Sequence, residues 1–490
     1  MNKYIAVGGF FAIFLVIGVF IHKDYGISWD EPIQRDYGLT VYNYITGKDK
    51  KLLTSNEKYY GPVFEVALVL VEKAFGLENL RDVYFARHFA NFLVFYTGVF
   101  FFYLLLKDRY NSWKVGLFGG ALLVLTPRIF AHAFYNPKDL PLLSAFIIGT
   151  YTLSKLLSKP STGWVLAHAA ACASTISIRI VGIILPAITI LAVLKTAKNI
   201  KALSLFLFAT FLVTVILWPT LWHAPLQEFV AAFEQMRQYP QSTQILYFGS
   251  LVKSTSLPWH YALGWMLVTL PVMYLAFFAI GLAAMVKGPK INLDYAVLFW
   301  LFAPLAAVIA LKSVLYDEWR QLFFIYPAFL YVAIAGIVWL HGLLAKRPVM
   351  TWALLIAVFA NMAAIAGTMI KLHPYENIYF NELAGNKAML SERFDLDYWG
   401  LSYKQALTYI AANDKSSGIK VGAANFPGVA NALLLDDLDS ARLTVSEKTD
   451  SPNYYITNYR GQKERDKTNL WHSIRVYENE MEFTSCRTSV

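Results

Sequence analysis

The chain is short of charge and almost without cysteine. Only 16% of its 490 residues are Asp, Glu, Lys or Arg, against about 25% in ordinary soluble proteins. With 57% hydrophobic residues, that shortage excludes a disordered or fibrous chain. The two cysteines are Cys172, inside an apolar run, and Cys486, close to the end of the sequence. They provide neither a disulfide framework nor a Cys-rich metal site. There is no glycine-rich phosphate loop and no nucleotide-binding signature, which argues against a cytosolic ATP-driven machine. Repeats and low-complexity tracts are absent too. His132, His168, His223 and His260 show no metal-ligand spacing and read as polar core or interface residues.

What the chain has is long apolar runs. About eleven reach or approach the roughly 20 residues that cross a bilayer: 4–21, 84–106, 115–133, 140–156, 163–178, 180–195, 202–220, 260–286, 295–311, 322–343 and 350–370. The segment 62–77 is apolar but short and carries Glu65 and Glu72, so it reads as an interfacial or re-entrant helix. The first run lacks a small-residue cleavage site and reads as a retained helix. Basic residues exceed acidic ones by 43 to 33. The excess sits in short loops between apolar runs, which fits membrane orientation and not a nucleic-acid partner.

Loop charge alternates. Nearly all the charges in residues 107–114, 154–159, 195–201, 287–290 and 346–347 are positive, which places them and the N-terminus in the cytoplasm. The outer set comprises 22–83, 134–139, 221–259 and 312–321, with mixed charge and aromatics. An odd number of spans then leaves the C-terminal tail outside. The count depends on 163–195 forming two short helices around Arg179. Residues 1–371 thus read as an all-α polytopic membrane domain. Residues 372–490 are polar and read as a small extracytoplasmic α+β domain, with a helix at 403–412 and strands at 419–423, 443–445, 454–456 and 473–477.

Chemistry-bearing residues gather on the outer side. Asp30 and Glu31 follow the first span directly, a pattern suited to a general base or metal ligand held beside a second carboxylate. Helix capping is the plain alternative. Asp139 stands on a very short loop at the mouth of the fourth span, next to Lys138; ionisable groups at such depth are functional candidates, although Asp139 too can be a cap. Arg179, Arg320 and Arg87 lie near the same face. Arginine suits phosphate because its planar fork donates two parallel hydrogen bonds. Each arginine alone is more simply a snorkelling or ion-paired residue; together they point to an anion.

These pieces resemble the GT-C glycosyltransferases, in the branch of the protein O-mannosyltransferases and aminoarabinose transferases. The resemblance covers about residues 1–370. It rests on the acidic pair after the first span, Tyr60-Gly61-Pro62-Val63-Phe64, Arg87 opening a span, Leu125-Thr126-Pro127 through Asp139-Leu140-Pro141, and Trp319-Arg320 through Tyr326-Pro327. It implies an inverting transferase of the bacterial inner membrane. The enzyme would take a sugar from a polyprenyl-phosphate donor to an acceptor hydroxyl on a cell-surface glycan, glycolipid or protein, on the extracytoplasmic face. Asp30 would be the base, Asp139 would orient the acceptor or help hold a divalent cation, and Lys138, Arg179, Arg320 and Arg87 would bind the lipid phosphate. Relatives carry a basic residue before the loop proline where this chain has Gly61, which passes the phosphate role to Lys58. Ile33 stands where the aminoarabinose enzymes have arginine, with Arg35 two positions later; this argues against lipid A as acceptor. A transporter or flippase of a lipid-linked glycan is the alternative, but it would show duplicated halves with broken midplane helices, and the sequence shows no duplication.

Overall fold

The computed structural model describes residues 2–196, 200–237, 242–288, 291–461, 470–476 and 481–488. The chain opens with α1 (Lys3–Ile21), α2 (Asp30–Ile45), α3 (Val63–Ala74) and α4 (Leu80–Tyr110). Next come α5 (Trp113–Val124), α6 (Pro127–Tyr135), α7 (Asp139–Ser158), α8 (Thr162–Ile178), α9 (Ile184–Thr196) and α10 (Ile200–Leu217). Then follow α11 (Pro225–Arg237), a hairpin of β1 (Gln244–Tyr247) and β2 (Ser250–Lys253), α12 (Tyr261–Thr269) and α13 (Val272–Lys287). The helical part ends with α14 (Asn292–Ala310), α15 (Tyr326–Leu344) and α16 (Pro348–Leu372). Starts are set by short polar side chains: Asn79, Ser112 and Ser161 accept hydrogen bonds from the backbone N–H of Arg81, Val115 and Trp164.

Among the described residues, seven helices are long and apolar enough to cross a membrane: α1, α4, α7, α10, α14, α16, and α15 together with the 3-10 turn Arg320–Ile325 before it. Two of the about eleven apolar segments expected as spans are not single helices. Segments 115–133 and 260–286 are bent helix pairs, α5–α6 by 71° and α12–α13 by 118°. If each pair is one span the total is nine. Both breaks fall at proline, Pro127 and Pro271. Proline disfavours helical backbone in the residue before it and lacks the N–H to continue the ladder. The two short helices expected on either side of Arg179 do form, as α8 and α9. At about 1.5 Å per residue they reach roughly 20–25 Å, less than the ~30 Å hydrocarbon thickness. The segment 62–77 folds as the expected short helix, α3.

The bundle is held by close backbone approaches. A Cβ on Gly281 would lie 1.9 Å from the carbonyl oxygen of Val332, so α13 and α15 touch where only glycine fits. Gly281→Ala is therefore expected to destabilise the protein by about 1–3 kcal/mol through overpacking, read as a lower Tm in detergent, whereas alanine at Gly367, where a Cβ meets nothing within 4 Å, leaves Tm unchanged.

The tail continues with α17 (Leu390–Arg393), α18 (Tyr403–Asn413), β3 (Ile419–Ala423), α19 (Phe426–Asn431), α20 (Asp437–Arg442), β4 (Leu443–Ser446), β5 (Tyr454–Thr457), β6 (Leu470–Val476) and β7 (Met481–Thr488). The sheet order is β4-β3-β5-β7-β6. β3 is parallel to β4 and β5, while the β5–β7 and β6–β7 pairs are antiparallel. The expected helix and all four expected strands are present, except that Tyr477 lies outside the described residues. β7 and the β1–β2 hairpin carry no signal the sequence reading used. The tail does not hang free. One apolar cluster runs from Phe92 and Phe146 in the bundle through Tyr398 and Trp399 to Val421 and Ile456 of the sheet.

His373, just past α16, ties the tail to the end of α1. Its Nδ1 lies 2.8 Å from Glu376 Oε1 and its Nε2 lies 2.9 Å from Asp24 Oδ2. Burial alone would lower its pKa, but the two carboxylates outweigh burial and raise it. A raised folded-state pKa gives stability that is fully present below the unfolded value, about 6.5, and is lost as pH climbs through the folded value. His373→Gln should thus lower Tm at pH 5.5 and lower it less at pH 8.5, as scanned by thermal unfolding.

Candidate functional site

The site forms where α2 and α7 begin. The segment before α2 is fixed from both sides: Ser28 Oγ donates to Tyr135 O at 2.8 Å, and Ile27 N donates to Asn431 Oδ1 at 2.9 Å. Glu31 turns back to accept from Ser28 N at 2.7 Å and meets His88 Nε2 at 2.9 Å. Glu31 is thus the acid that caps the turn entering α2, and Asp30 is left to the cations around it. At α7 the division is similar. Asn136 Oδ1 accepts from Lys138 N and Asp139 N at 3.2 and 2.9 Å, so Asn136 is the cap. Its Nδ2 also donates to Asp139 Oδ2 at 3.0 Å and holds that carboxylate in place.

Arg320 joins the two acids. Its Nη1 is 3.4 Å from Asp30 Oδ2 and 3.2 Å from Asp139 Oδ2. Arg179, in extended backbone between α8 and α9, pairs with Asp139 Oδ1. Lys138 Nζ lies 3.9 Å from Asp30 Oδ2 and 4.3 Å from the Tyr60 ring. Five of the expected residues, Asp30, Asp139, Lys138, Arg179 and Arg320, are therefore in one cluster.

Three expected residues are placed elsewhere. Glu31 is the cap just described. Arg87 is buried between Glu65 and Glu72, with Arg35 on the other side of Glu72, and clamps α3 onto α4 and α2. Lys58 pairs with Glu228 at 3.5 Å. The glycine before Pro62 has a steric reason: a Cβ on Gly61 would lie 2.3 Å from the Ser177 carbonyl oxygen. That segment presses directly on the turn that carries Arg179.

The outer loop 312–321 and the tail complete the cluster, through Asp317, expected as a possible arginine partner, and through Arg460, which the sequence reading did not select. Asp317 accepts from Arg320 Nη2 at 3.3 Å and from Arg460 Nη2 at 2.7 Å. Arg460 lies over the Trp29 ring at 4.7 Å, and Arg320 lies over Trp399 at 4.6 Å. Behind them Glu318 is buried against Arg128 at 2.7 Å, His132 at 3.4 Å and the Tyr398 hydroxyl. His132 is thus a hydrogen-bonded core residue, as expected. Arg128 carried a usable signal, a charge at the break of an apolar run; Arg460, in a polar stretch, carried none.

Burial by itself would raise the Asp30 pKa. Lys138, Arg320, Arg179 and Arg460 overcome that and lower it, so the carboxylate is ionised at neutral pH. Burial lowers the Lys138 pKa, and Asp30 opposes the shift. In direct contact are four cations, Lys138, Arg179, Arg320 and Arg460, and three carboxylates, Asp30, Asp139 and Asp317, with the Glu57 carboxylate also acting on Asp30 and Lys138. Forked donors gathered at one point fit a phosphate. The group does not fit a divalent cation, because both candidate ligand carboxylates already face guanidinium or ammonium nitrogens. Among the described residues no group of three or more His, Cys, Asp or Glu is placed to hold a metal ion.

A bundle of apolar helices with bent pairs, capped by a small mixed sheet, is a polytopic membrane protein with a GT-C-like fold. Two solved structures share this fold. ArnT from Cupriavidus metallidurans bound to undecaprenyl phosphate aligns with a TM-score of 0.58 at 13% identity, over 99% of this chain and 98% of that one. The apo state of the same protein aligns with a TM-score of 0.55 at 12% identity, over 98% of each chain. No family model matches the sequence, and no curated protein does.

Proposed function

We propose that the protein is an inverting glycosyltransferase that moves a sugar from a polyprenyl-phosphate donor to an acceptor hydroxyl. The observation that carries this reading is Arg320, whose single Nη1 contacts both Asp30 and Asp139 within a cation-rich cleft. Support comes from the fold shared with a protein crystallised with undecaprenyl phosphate.

In this scheme Arg179, Arg320 and Lys138 receive the donor phosphate. Asp30 takes the proton of the acceptor hydroxyl as its oxygen attacks the anomeric carbon from the face opposite the phosphate. The bond from that carbon to the phosphate oxygen breaks, and the lipid phosphate leaves as a monoester. The guanidinium groups balance the charge it gains. Phosphate binding also matters for the base. An anion among these cations draws part of their field away from Asp30 and raises its proton affinity when a base is needed. Asp139, fixed by Asn136, Arg179 and Arg320, positions the donor-binding arginines. The loop charges favour placing this cleft and residues 372–490, as a domain, on the extracytoplasmic side of a bacterial inner membrane. The acceptor class favoured is a cell-surface glycan or glycolipid, with protein the other candidate.

The test is transfer in proteoliposomes from radiolabelled polyprenyl-phosphate sugar, together with mass comparison of surface glycans, lipids and proteins in cells lacking the gene. Label appearing in an acceptor supports the reading. Movement of the lipid between leaflets with no transfer would replace it with the flippase alternative.

A further inference from the structure

Beside the cluster, on the next turns of α2, lies a half-open cavity of about 310 Å³ that the scheme above does not use. That volume is at the small end for ligand pockets and suits a sugar unit. Asp36, Tyr37 and Thr40 come from α2, Ser55 and Glu57 from the turn before Tyr60, and Phe426 from the first residue of α19 in the tail. The polar lining is carboxylates and hydroxyls, and Phe426 offers an aromatic ring at one side. Carboxylates can accept from neighbouring hydroxyls of a sugar, hydroxyl groups can donate or accept, and an aromatic face covers the apolar C–H side of a pyranose ring. The turn that carries Glu57 also reaches the cluster, because the ring of Tyr60 just after it lies 4.3 Å from Lys138 Nζ.

We infer that this cavity is the acceptor subsite and that it takes a neutral or amino-bearing glycan unit, not a phosphorylated one. The inference rests on the transferase reading, since an acceptor must approach Asp30. Charge is divided between the two sites. Four cations gather on the donor side, while Asp36 and Glu57 line the cavity with negative charge and no cation. A phosphate group entering here would meet like charge, and like charges across an interface cost affinity. A peptide acceptor is less well served: recognition of an extended peptide uses a sheet edge, and no strand lines the cavity, whose apolar members are Pro32, Ile33 and Phe426. The tail thereby has a binding role through Phe426 beyond its packing one.

The experiment is saturation-transfer NMR on the full-length protein in nanodiscs. The probes are methyl glucopyranoside, methyl glucosaminide, glucose 6-phosphate and an unstructured Ser/Thr peptide. The expected result is saturation of ring protons in the first two probes only, reduced at least fivefold by Phe426→Ala and by Asp36→Asn with Glu57→Gln, and retained in Asp30→Asn. No saturation by either glycoside, an undiminished signal in Phe426→Ala, or preferential binding of the phosphorylated sugar or the peptide each overturns the inference. Undecaprenyl phosphate binding, followed by thermal shift on the same sample, separates the two levels. Lipid bound without glycoside removes the cavity assignment and leaves the transferase reading standing. Glycoside bound without lipid removes the transferase reading.

Discussion

Asp30→Asn should leave the protein folded and lower transfer by about 10²–10⁴-fold in kcat, the usual worth of a positioned general base. The amide is close to isosteric, and the side chain is 17% exposed, so no deeply buried charge is abandoned. Arg320 keeps Asp139 and Asp317 as partners. Donor binding should not fall. On the proposed reading, removing one negative charge beside the donor-phosphate position strengthens the positive field there, so undecaprenyl phosphate should bind as well as before or more tightly. Steady-state transfer and lipid binding on one preparation check both directions. If Asp30→Asn keeps full activity and Asp139→Asn abolishes it, the base is Asp139 and the roles proposed above are exchanged.

Part of this site could be read from the sequence, and the division has a physical basis. Asp30, Asp139, Lys138, Arg179 and Arg320 were legible because each is a charge at the edge of an apolar run, where burying it is costly without a reason. The same rule selected Arg87, and the family resemblance selected Lys58; the fold spends them on ion pairs with Glu65, Glu72 and Glu228. A charge at membrane depth identifies a buried partner but not which partner. Asp317 was legible as a nearby ion-pair partner for Arg320, but Arg460 was not. Its meeting with Asp317 depends on the tail folding back across more than a hundred residues, and no local periodicity encodes that. The spans show a similar limit. Hydropathy located the apolar segments, but Pro127 and Pro271 had to be weighed as breaks within them to give the 71° and 118° bends. The short strands of the tail were found by β-propensity. Their order, with β7 between β5 and β6, is a property of long-range pairing.

Arg320→Met tests the centre of the arrangement, and its effect should be large on both stability and activity. The Arg320 side chain is 2% exposed and its partner Asp139 is 1% exposed. Taking the guanidinium away leaves a buried carboxylate with one fewer counter-charge, and breaking a buried pair from one side typically costs about 3–5 kcal/mol. Arg179 remains on Asp139 and Arg460 on Asp317, so the lower end of that range is expected. Activity should fall more than Asp30→Asn makes it fall, because the donor phosphate loses a ligand and Asp30 loses a neighbour that keeps it ionised. The double variant Arg320→Met with Asp139→Asn distinguishes a structural ion pair from a donor-binding one. Removing both charges should recover most of the lost Tm, since replacing a buried pair by neutral groups is often close to neutral. Transfer should stay abolished and undecaprenyl phosphate binding should stay weak, because neither methionine nor asparagine can offer the forked donors a phosphate needs. If the double variant regained activity along with stability, Arg320 would be a brace for the helix ends and the phosphate would have to be held by Arg179 and Lys138 alone.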